Sequence, residues 1–480
     1  MNKSKTVKYF LWSFVNTGGS QLFGLIFGIF LARILSPEDF GSISIILFIT
    51  LAANVFVDSG FSQALIREQD VKKLDYDSVF YFSLFVALIC ATLLYSLSEF
   101  LGNFYNNPVI GSLAKVMSIS PLIYALMSVH ATIITKALDF KLKAKLSLTA
   151  ILISGLLAIL MAKNGYGIWS LVVLQLLNPF LLMLFMWVKV KWRPELNFSY
   201  ESIIKYIKFG IVISIVNLST IIYTKSHVIM IGKYFSVTDA GYFSRADSLK
   251  NIPSGMLSKI IGRVIFPLLS KVQDDVNTLR NNNVKIIKFT SVISFPLMIG
   301  MASVSEELLV SLIGLKWLPA SKILLYLCFA GVLLPLDTVN MNIIKVKGKM
   351  NTFLVIELTK LFLFIPVLYI GISIGMKEML IAIIIHSVIS FIASAIASGK
   401  IIKYKLLQYL KDIHQPLVFS LLMFCLNDLI QKYLNYNYFY ELIISVISGI
   451  FIMVICYEIF SNNEYAILKG KIFRSRDGKK

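Results

Sequence analysis

The chain has 480 residues, of which 57% are hydrophobic and only 15% charged, with a formal net charge of +20 and a mean hydropathy of +0.78. A soluble domain carries about 25% charged residues, so a water-soluble globular protein is excluded. The apolar residues recur in long stretches separated by short polar segments, and about 20 such residues suffice to cross a bilayer core as a helix.

In lipid every backbone N–H and C=O must be paired within its own element, which selects helices. The apolar stretches predict an all-α polytopic membrane protein with about 14 transmembrane helices. In chain order they fall at 11–33, 41–65, 79–98, 109–135, 146–162, 165–188 and 209–232, then at 241–268, 286–312, 320–344, 352–375, 379–399, 413–431 and 438–460. The first stretch is too long for the apolar core of a cleavable signal, so it is read as a retained span.

The basic residues follow this alternation. With the N-terminus inside, Lys3, Lys5 and Lys8 precede the first span, Lys136, Lys141, Lys143 and Lys145 share one inner loop, and the tail from Lys469 to Lys480 is basic. The opposite loops carry only Arg33, Lys163, Lys233, Lys316, Lys322, Lys377 and Lys432. One missed span would invert every later loop, so the bias supports the count and places both termini in the cytoplasm. The net charge is thus read as topology and contact with anionic membrane lipid, not as nucleic-acid binding.

A repeat divides the chain. Residues 33–44 read RILSPEDFGSIS and residues 233–244 read KYFSVTDAGYFS, with Ser36/Ser236, Asp39/Asp239, Gly41/Gly241 and Ser44/Ser244 identical. Six predicted spans separate the copies, an even number, so the halves run in the same direction about an axis along the membrane normal. Generic hairpin chemistry, with Ser or Asp capping the next helix, is the alternative reading. The expected division is a six-helix bundle at 1–190, a cytoplasmic linker at 191–208, a second six-helix bundle at 209–400, and two additional helices with a basic tail at 401–480.

Ionisable residues at membrane depth are costly and face a cavity or a partner. In the eighth span Arg245, Lys259 and Arg263 fall within about 40° of one another at 100° per residue, and Arg245 to Arg263 covers about 27 Å of rise. They are read as one wall of a water-filled, anion-attracting cavity, the alternative being an interfacial helix with snorkelling ends. Asp247 and Lys250 lie on other faces. Lys225 stands in the seventh span, and Lys115 is placed to snorkel. Lys360 has Glu357 three residues before it, a local ion pair. Asp58 and Asp337 are lone acids, candidates for a coupling ion or proton and equally for buried carboxylates bonded to a neighbouring helix. The four histidines are scattered without ligand spacing, and the four cysteines form no motif, so no metal or cofactor is expected. No P-loop, dinucleotide fingerprint or nucleophile elbow is present, and no outer loop is long enough for a catalytic domain, so an enzyme is not expected.

Four segments carry a family resemblance: LARILSPEDFGSIS at 31–44, VDSGFSQALIRE at 57–68, MIGKYFSVTDAGYFSRADSLKNIP at 230–253 and RVIFPLLSKVQDD at 263–275. Together with the span count and the two halves, they resemble the multidrug/oligosaccharidyl-lipid/polysaccharide exporter superfamily. Within it the likeness is to the Wzx-type flippases of its colanic-acid and exopolysaccharide-like branch. The resemblance implies a V-shaped architecture like that of the multidrug and toxic compound extrusion (MATE) transporters, and a place in the bacterial cytoplasmic membrane. The implied activity is translocation of undecaprenyl-pyrophosphate-linked oligosaccharide repeat units by alternating access, for cell-surface polysaccharide. It implies an ion gradient as energy source, and polysaccharide polymerase and glycosyltransferases as partners. A pyrophosphate is a compact multiple anion that Arg engages bidentately, which fits Arg245, Lys259 and Arg263 with Lys225 in support. Asn217, Ser219, Thr220 and Tyr223 are the expected sugar contacts. Where the family's seventh helix often has an acid or amide, this chain has Lys225–Ser226–His227, so no ion-coupling role is carried to that position. An ion-coupled drug exporter of the same superfamily is the alternative, for which acids rather than cations are expected around the cavity.

Overall fold

The computed structural model describes residues 3–433 and 437–460; the side chains of residues 3–10 and of Arg263, Val264 and Pro267 lie outside the described set, as does the basic tail. Among the described residues every regular element is helical, as the lipid argument requires. The chain divides into two compact units, Met1–Ser244 and Arg245–Lys480.

The first unit holds α1 (Lys3–Ile34), α2 (Pro37–Asp58), α3 (Phe61–Arg67), α4 (Lys73–Ser96), α5 (Ser98–Phe104), α6 (Pro108–Met117), α7 (Ser120–Lys136), α8 (Phe140–Lys163), α9 (Trp169–Lys189), α10 (Tyr200–Tyr234) and the first turns of α11 (Val237–Ser270). The second holds the rest of α11, then α12 (Val276–Ser303), α13 (Ser305–Ile313), a single 3-10 turn at Leu315–Trp317, α14 (Pro319–Gly331), α15 (Leu334–Val346), α16 (Met350–Ser373), α17 (Met376–Ile402), α18 (Leu406–Tyr433) and α19 (Tyr438–Ile459).

Several predicted spans are segmented, each for a local reason. The span at 41–65 ends at Asp58, because Ser59 and Gly60 both take left-handed backbone (φ 45° and 69°) and start α3 in a new direction. The span at 109–135 breaks between α6 and α7, just before Pro121, and the span at 320–344 breaks between α14 and α15, just before Pro335. Proline lacks the N–H that would continue the preceding turn, and it is tolerated in the first turn of the next helix. The span at 286–312 likewise ends at Ser303, and α13 follows as a separate helix.

Thirteen helices among the described residues are long and apolar enough to cross a membrane. Their outward side chains are large and apolar, with Phe85, Leu93, Leu160, Phe362, Ile365, Ile447 and Phe451 all more than half exposed. Water would not tolerate so broad an apolar surface on a soluble protein, and the chain is a multi-pass membrane protein. The remaining predicted span, the eighth in chain order, lies on α11, a 34-residue helix, about 51 Å at 1.5 Å per residue. It carries Arg245, Asp247, Lys250, Lys259 and Arg263, and part of it lies outside the described residues from which the thirteen are drawn.

The first unit is organised on a buried cluster of Phe61, Leu65, Phe80, Val129, Ile203 and Tyr206, flanked by Trp187 and Trp192. The second carries a cluster of Val292, Phe419, Met423, Met453 and Tyr457, which fixes α18 and α19 on α12. α12 and α18 run parallel: Lys288 pairs with Asp412, and Asn427, with the same sequence offset of 124, donates to Ser303 Oγ.

Candidate functional site

α10 is held at both ends and only partly buried between them. At its start, Ser202 and Tyr206 donate to the buried Asp75 carboxylate at 2.7 and 3.1 Å, and the Ser199 amide donates to Ser78. Gly210 lies against the Gly60 backbone so closely that a Cβ there would stand 2.2 Å from the Ser59 carbonyl oxygen. At its far end Lys233 Nζ donates to the Phe104 carbonyl at 2.6 Å, and His227 stacks on Phe243 at 5.3 Å. Between these anchors no residue from Ile211 to Ser226 is buried. This open stretch carries Asn217, Ser219, Thr220, Tyr223 and Lys225.

The helical phase spreads those residues. Asn217 and Thr220 share one stripe, Ser219 and Tyr223 another, and Lys225 a third, at 100° per residue. Asn217 and Ser219 are half-buried without a hydrogen bond among the described residues. Thr220 spends its hydroxyl on the Val216 carbonyl one turn back.

The cations of α11 are placed by one continuous helix. Arg245 is half-buried, and Lys259 is exposed with no ion pair or hydrogen bond among the described residues. Arg263 follows on the same helix, and its side chain lies outside the described residues. Lys250 is accounted for otherwise: it pairs with Asp247 at 2.8 Å, both largely buried. Among the described residues Lys259 faces no carboxylate, and a charge at membrane depth is costly in lipid.

The two lone acids have different surroundings. Asp58 ends α2 and accepts a hydrogen bond of 2.5 Å from Ser62 Oγ. Asp337 is not alone: Lys360 Nζ reaches it at 2.7 Å and Glu357 at 3.3 Å. The expected i,i+3 pair is therefore part of a triad spanning α15 and α16. Lys360 is nearly fully buried, and its carbonyl contacts His386 Nε2 at 2.8 Å. Lys115 pairs with Glu99 at 2.9 Å, so it has a protein partner besides any snorkelling.

Two groups went unnoticed in the sequence. Asp75 and Asp77 are buried on the first turns of α4; they sit beside Lys72 and Lys73, which makes them look like ordinary loop charge. In α1 the run Asn16–Thr17–Gly18–Gly19–Ser20–Gln21 interrupts an apolar span. Among the described residues Asn16 Oδ1 and Gln21 Oε1 are buried without a hydrogen-bond partner, and open space lies beside Gly18. Six polar or glycine residues inside a span were the available signal.

Comparison with known proteins adds to this geometry. The chain is 24% identical over 375 residues to the lipopolysaccharide biosynthesis protein WzxC of Escherichia coli K12, covering 77% of this chain and 75% of that one. It is 24% identical over 432 residues to the teichuronic acid biosynthesis protein TuaB of Bacillus subtilis 168, covering 88% of each. Its fold matches that of the lipid II flippase MurJ in an inward closed conformation, with a TM-score of 0.75 at 19% identity over 94% of this chain and 98% of that one. The sequence pattern of one family extends over residues 30–322, well over half of the chain and including α10 and α11, and the chain belongs to that polysaccharide biosynthesis protein family.

Proposed function

We propose that this protein is a flippase that carries undecaprenyl-pyrophosphate-linked oligosaccharide repeat units across the bacterial cytoplasmic membrane, by alternating access, for cell-surface polysaccharide synthesis. The observation that carries this reading is α11, a 34-residue helix that bears Arg245, Asp247, Lys250, Lys259 and Arg263, with Lys259 exposed and unpaired among the described residues. In this reading α11 is the eighth span and completes the fourteen. Arg245, Lys259 and Arg263 attract the pyrophosphate, with Lys225 in support. Asn217, Ser219, Thr220 and Tyr223, on the partly buried middle of α10, meet sugar hydroxyls. The prenyl tail stays in the bilayer, so only the polar head needs a water-lined path.

The similar proteins are named for lipopolysaccharide, teichuronic acid and lipid II, which supports a saccharide carried on a lipid. The two halves act as bundles at 1–190 and 209–400 joined by the linker at 191–208, with 401–480 added outside them. Both termini are cytoplasmic. The protein moves its substrate without making or breaking covalent bonds, and it receives that substrate from glycosyltransferases and delivers it to a polymerase. A proton or sodium gradient drives the cycle through Asp58 or Asp337. The Lys360 ammonium already occupies the place a coupling cation would take at Asp337, which favours Asp58.

The test is binding by the purified full chain. An undecaprenyl-pyrophosphate oligosaccharide is expected to bind at least tenfold more tightly than the same glycan on a neutral prenol, and Lys259→Ala to reduce that preference. Equal affinity for both lipids, with tight binding of organic cations, would instead favour a drug exporter of the same superfamily.

A further inference from the structure

The second unit contains a cationic groove that the transport reading does not use. It opens between the first turns of α12 and α18, with a cavity of about 510 Å³ lined by Arg280, Lys288, Tyr404 and Lys411, continuous through Lys288 and Lys411 with a smaller pocket that reaches His414. The larger volume lies within the range typical of ligand sites.

Its charge is unbalanced. Lys288 pairs with Asp412 at 3.2 Å, and the Tyr404 hydroxyl donates to the same carboxylate. Burial and the neighbouring Asp412 carboxylate push the Tyr404 phenol up, so it remains a donor. The one acid is thus engaged from both sides. Arg280 and the Lys411 ammonium have no ion pair or side-chain hydrogen bond among the described residues. α18 begins at this end with no acidic residue in its first turn, so its N-terminus adds partial positive charge, whereas the start of α12 is already capped by Asp275.

The depth of the groove identifies its occupant. Counting about 20 residues back from Ser303 and from Asn427, which is level with it, the thickness of the hydrocarbon core ends near residue 283 on α12 and residue 407 on α18. Arg280 and Tyr404 therefore lie at headgroup level, and Lys411 lies one turn inside, where a lysine reaches the headgroups by snorkelling. Val284 and Val292 line the groove on the α12 side, and Leu407, Leu410 and Val418 of α18 and Phe289 of α12 are exposed apolar side chains nearby in sequence. A phosphate ester fits the cations, and only an ester that carries acyl chains also uses the apolar flank.

We propose that this groove binds the phosphate headgroup of an anionic phospholipid, held by Arg280 and Lys411 at the start of α12 and α18. The shared chemistry is a phosphate anion, and the lipid source is distinguished from free phosphate as follows. Native mass spectrometry of the detergent-purified full chain is run with phosphatidylglycerol, with phosphatidylcholine and with inorganic phosphate alone. Wild type is expected to retain phosphatidylglycerol about tenfold more than phosphatidylcholine, with inorganic phosphate at millimolar concentration unable to displace it. Arg280→Glu with Lys411→Glu is expected to abolish the preference, and the milder Arg280→Gln to weaken it, while Lys377→Glu, a charge reversal elsewhere, leaves it unchanged. Thermal unfolding of each variant in lipid-free detergent serves as the folding control; if the double reversal unfolds, Arg280→Gln decides. Equal retention of both lipids by wild type, an undiminished preference in the folded variants, or full displacement by inorganic phosphate would each overturn the proposal.

Discussion

At the scale of single residues, the repeat is built from contacts between its own copies. A Cβ at Gly41 would lie 1.8 Å from the Val237 carbonyl oxygen, and a Cβ at Gly241 would lie 1.8 Å from the Pro37 carbonyl oxygen. Positions 37 and 41 thus meet positions 241 and 237 reciprocally, the signature of a local two-fold axis. On that axis Ser44 and Ser244 share a hydrogen bond of 2.6 Å. Ser36 and Ser236 each accept from the amide of the Asp three residues on, at 3.2 and 2.9 Å, so both hairpins start their helices the same way. The sequence showed the matching residues; that they touch one another is tertiary information no pattern holds. Ser44→Cys with Ser244→Cys, in a background without the native cysteines, is expected to form an intramolecular disulfide under mild oxidation, read by a gel shift after cleavage in the linker. Absence of the cross-link would count against this closed pairing. Gly41→Ala is expected to hinder the same cross-link in the cysteine pair, since the added methyl meets backbone that cannot step aside.

At the scale of elements, the packing of α15 on α16 converts a predicted local pair into a buried triad. Removing the cation leaves two carboxylates facing each other in a low-dielectric site, and breaking a buried pair from one side costs about 3 kcal/mol or more. Lys360→Met is therefore expected to destabilise the protein by that order in a detergent unfolding titration, whereas adding Asp337→Leu to it is expected to recover part of the loss. A Lys360→Met protein as stable as wild type would show that the triad contributes nothing.

The same scale explains which elements were readable. Thirteen spans follow from apolar length, because lipid enforces helix wherever about 20 apolar residues run together. The breaks after Met117 and Gly331 had their signal in Pro121 and Pro335. The turn at Ser59–Gly60 did not, since left-handed backbone at serine is uncommon and is imposed here by the close approach of Gly210. Asp337 looked isolated because its partner is 23 residues away on the next helix. Among the candidate site residues, the single helix that carries Arg245, Lys259 and Arg263 was legible in the sequence, while the partial burial of the middle of α10 depends on where its two ends are anchored.

At the scale of the whole molecule, the account rests on a polar path through an otherwise apolar protein. Position 259 is expected to be wet and position 362 to face lipid. In a chain without native cysteines, Lys259→Cys is expected to react with a membrane-impermeant maleimide and Phe362→Cys to stay unlabelled until the membrane is dissolved. Equal protection of both would remove α11 from any aqueous cavity.

The central claim is tested most directly by translocation. The purified protein is reconstituted into liposomes with a fluorescent undecaprenyl-pyrophosphate oligosaccharide in both leaflets, and a membrane-impermeant quencher reports the outer pool over time, with and without an imposed proton or sodium gradient. Exchange between leaflets that requires the protein, that a gradient accelerates, and that falls at least tenfold in a folded Lys259→Ala variant is the predicted result. A well-folded wild-type protein that leaves the inner pool protected under every gradient would contradict the account.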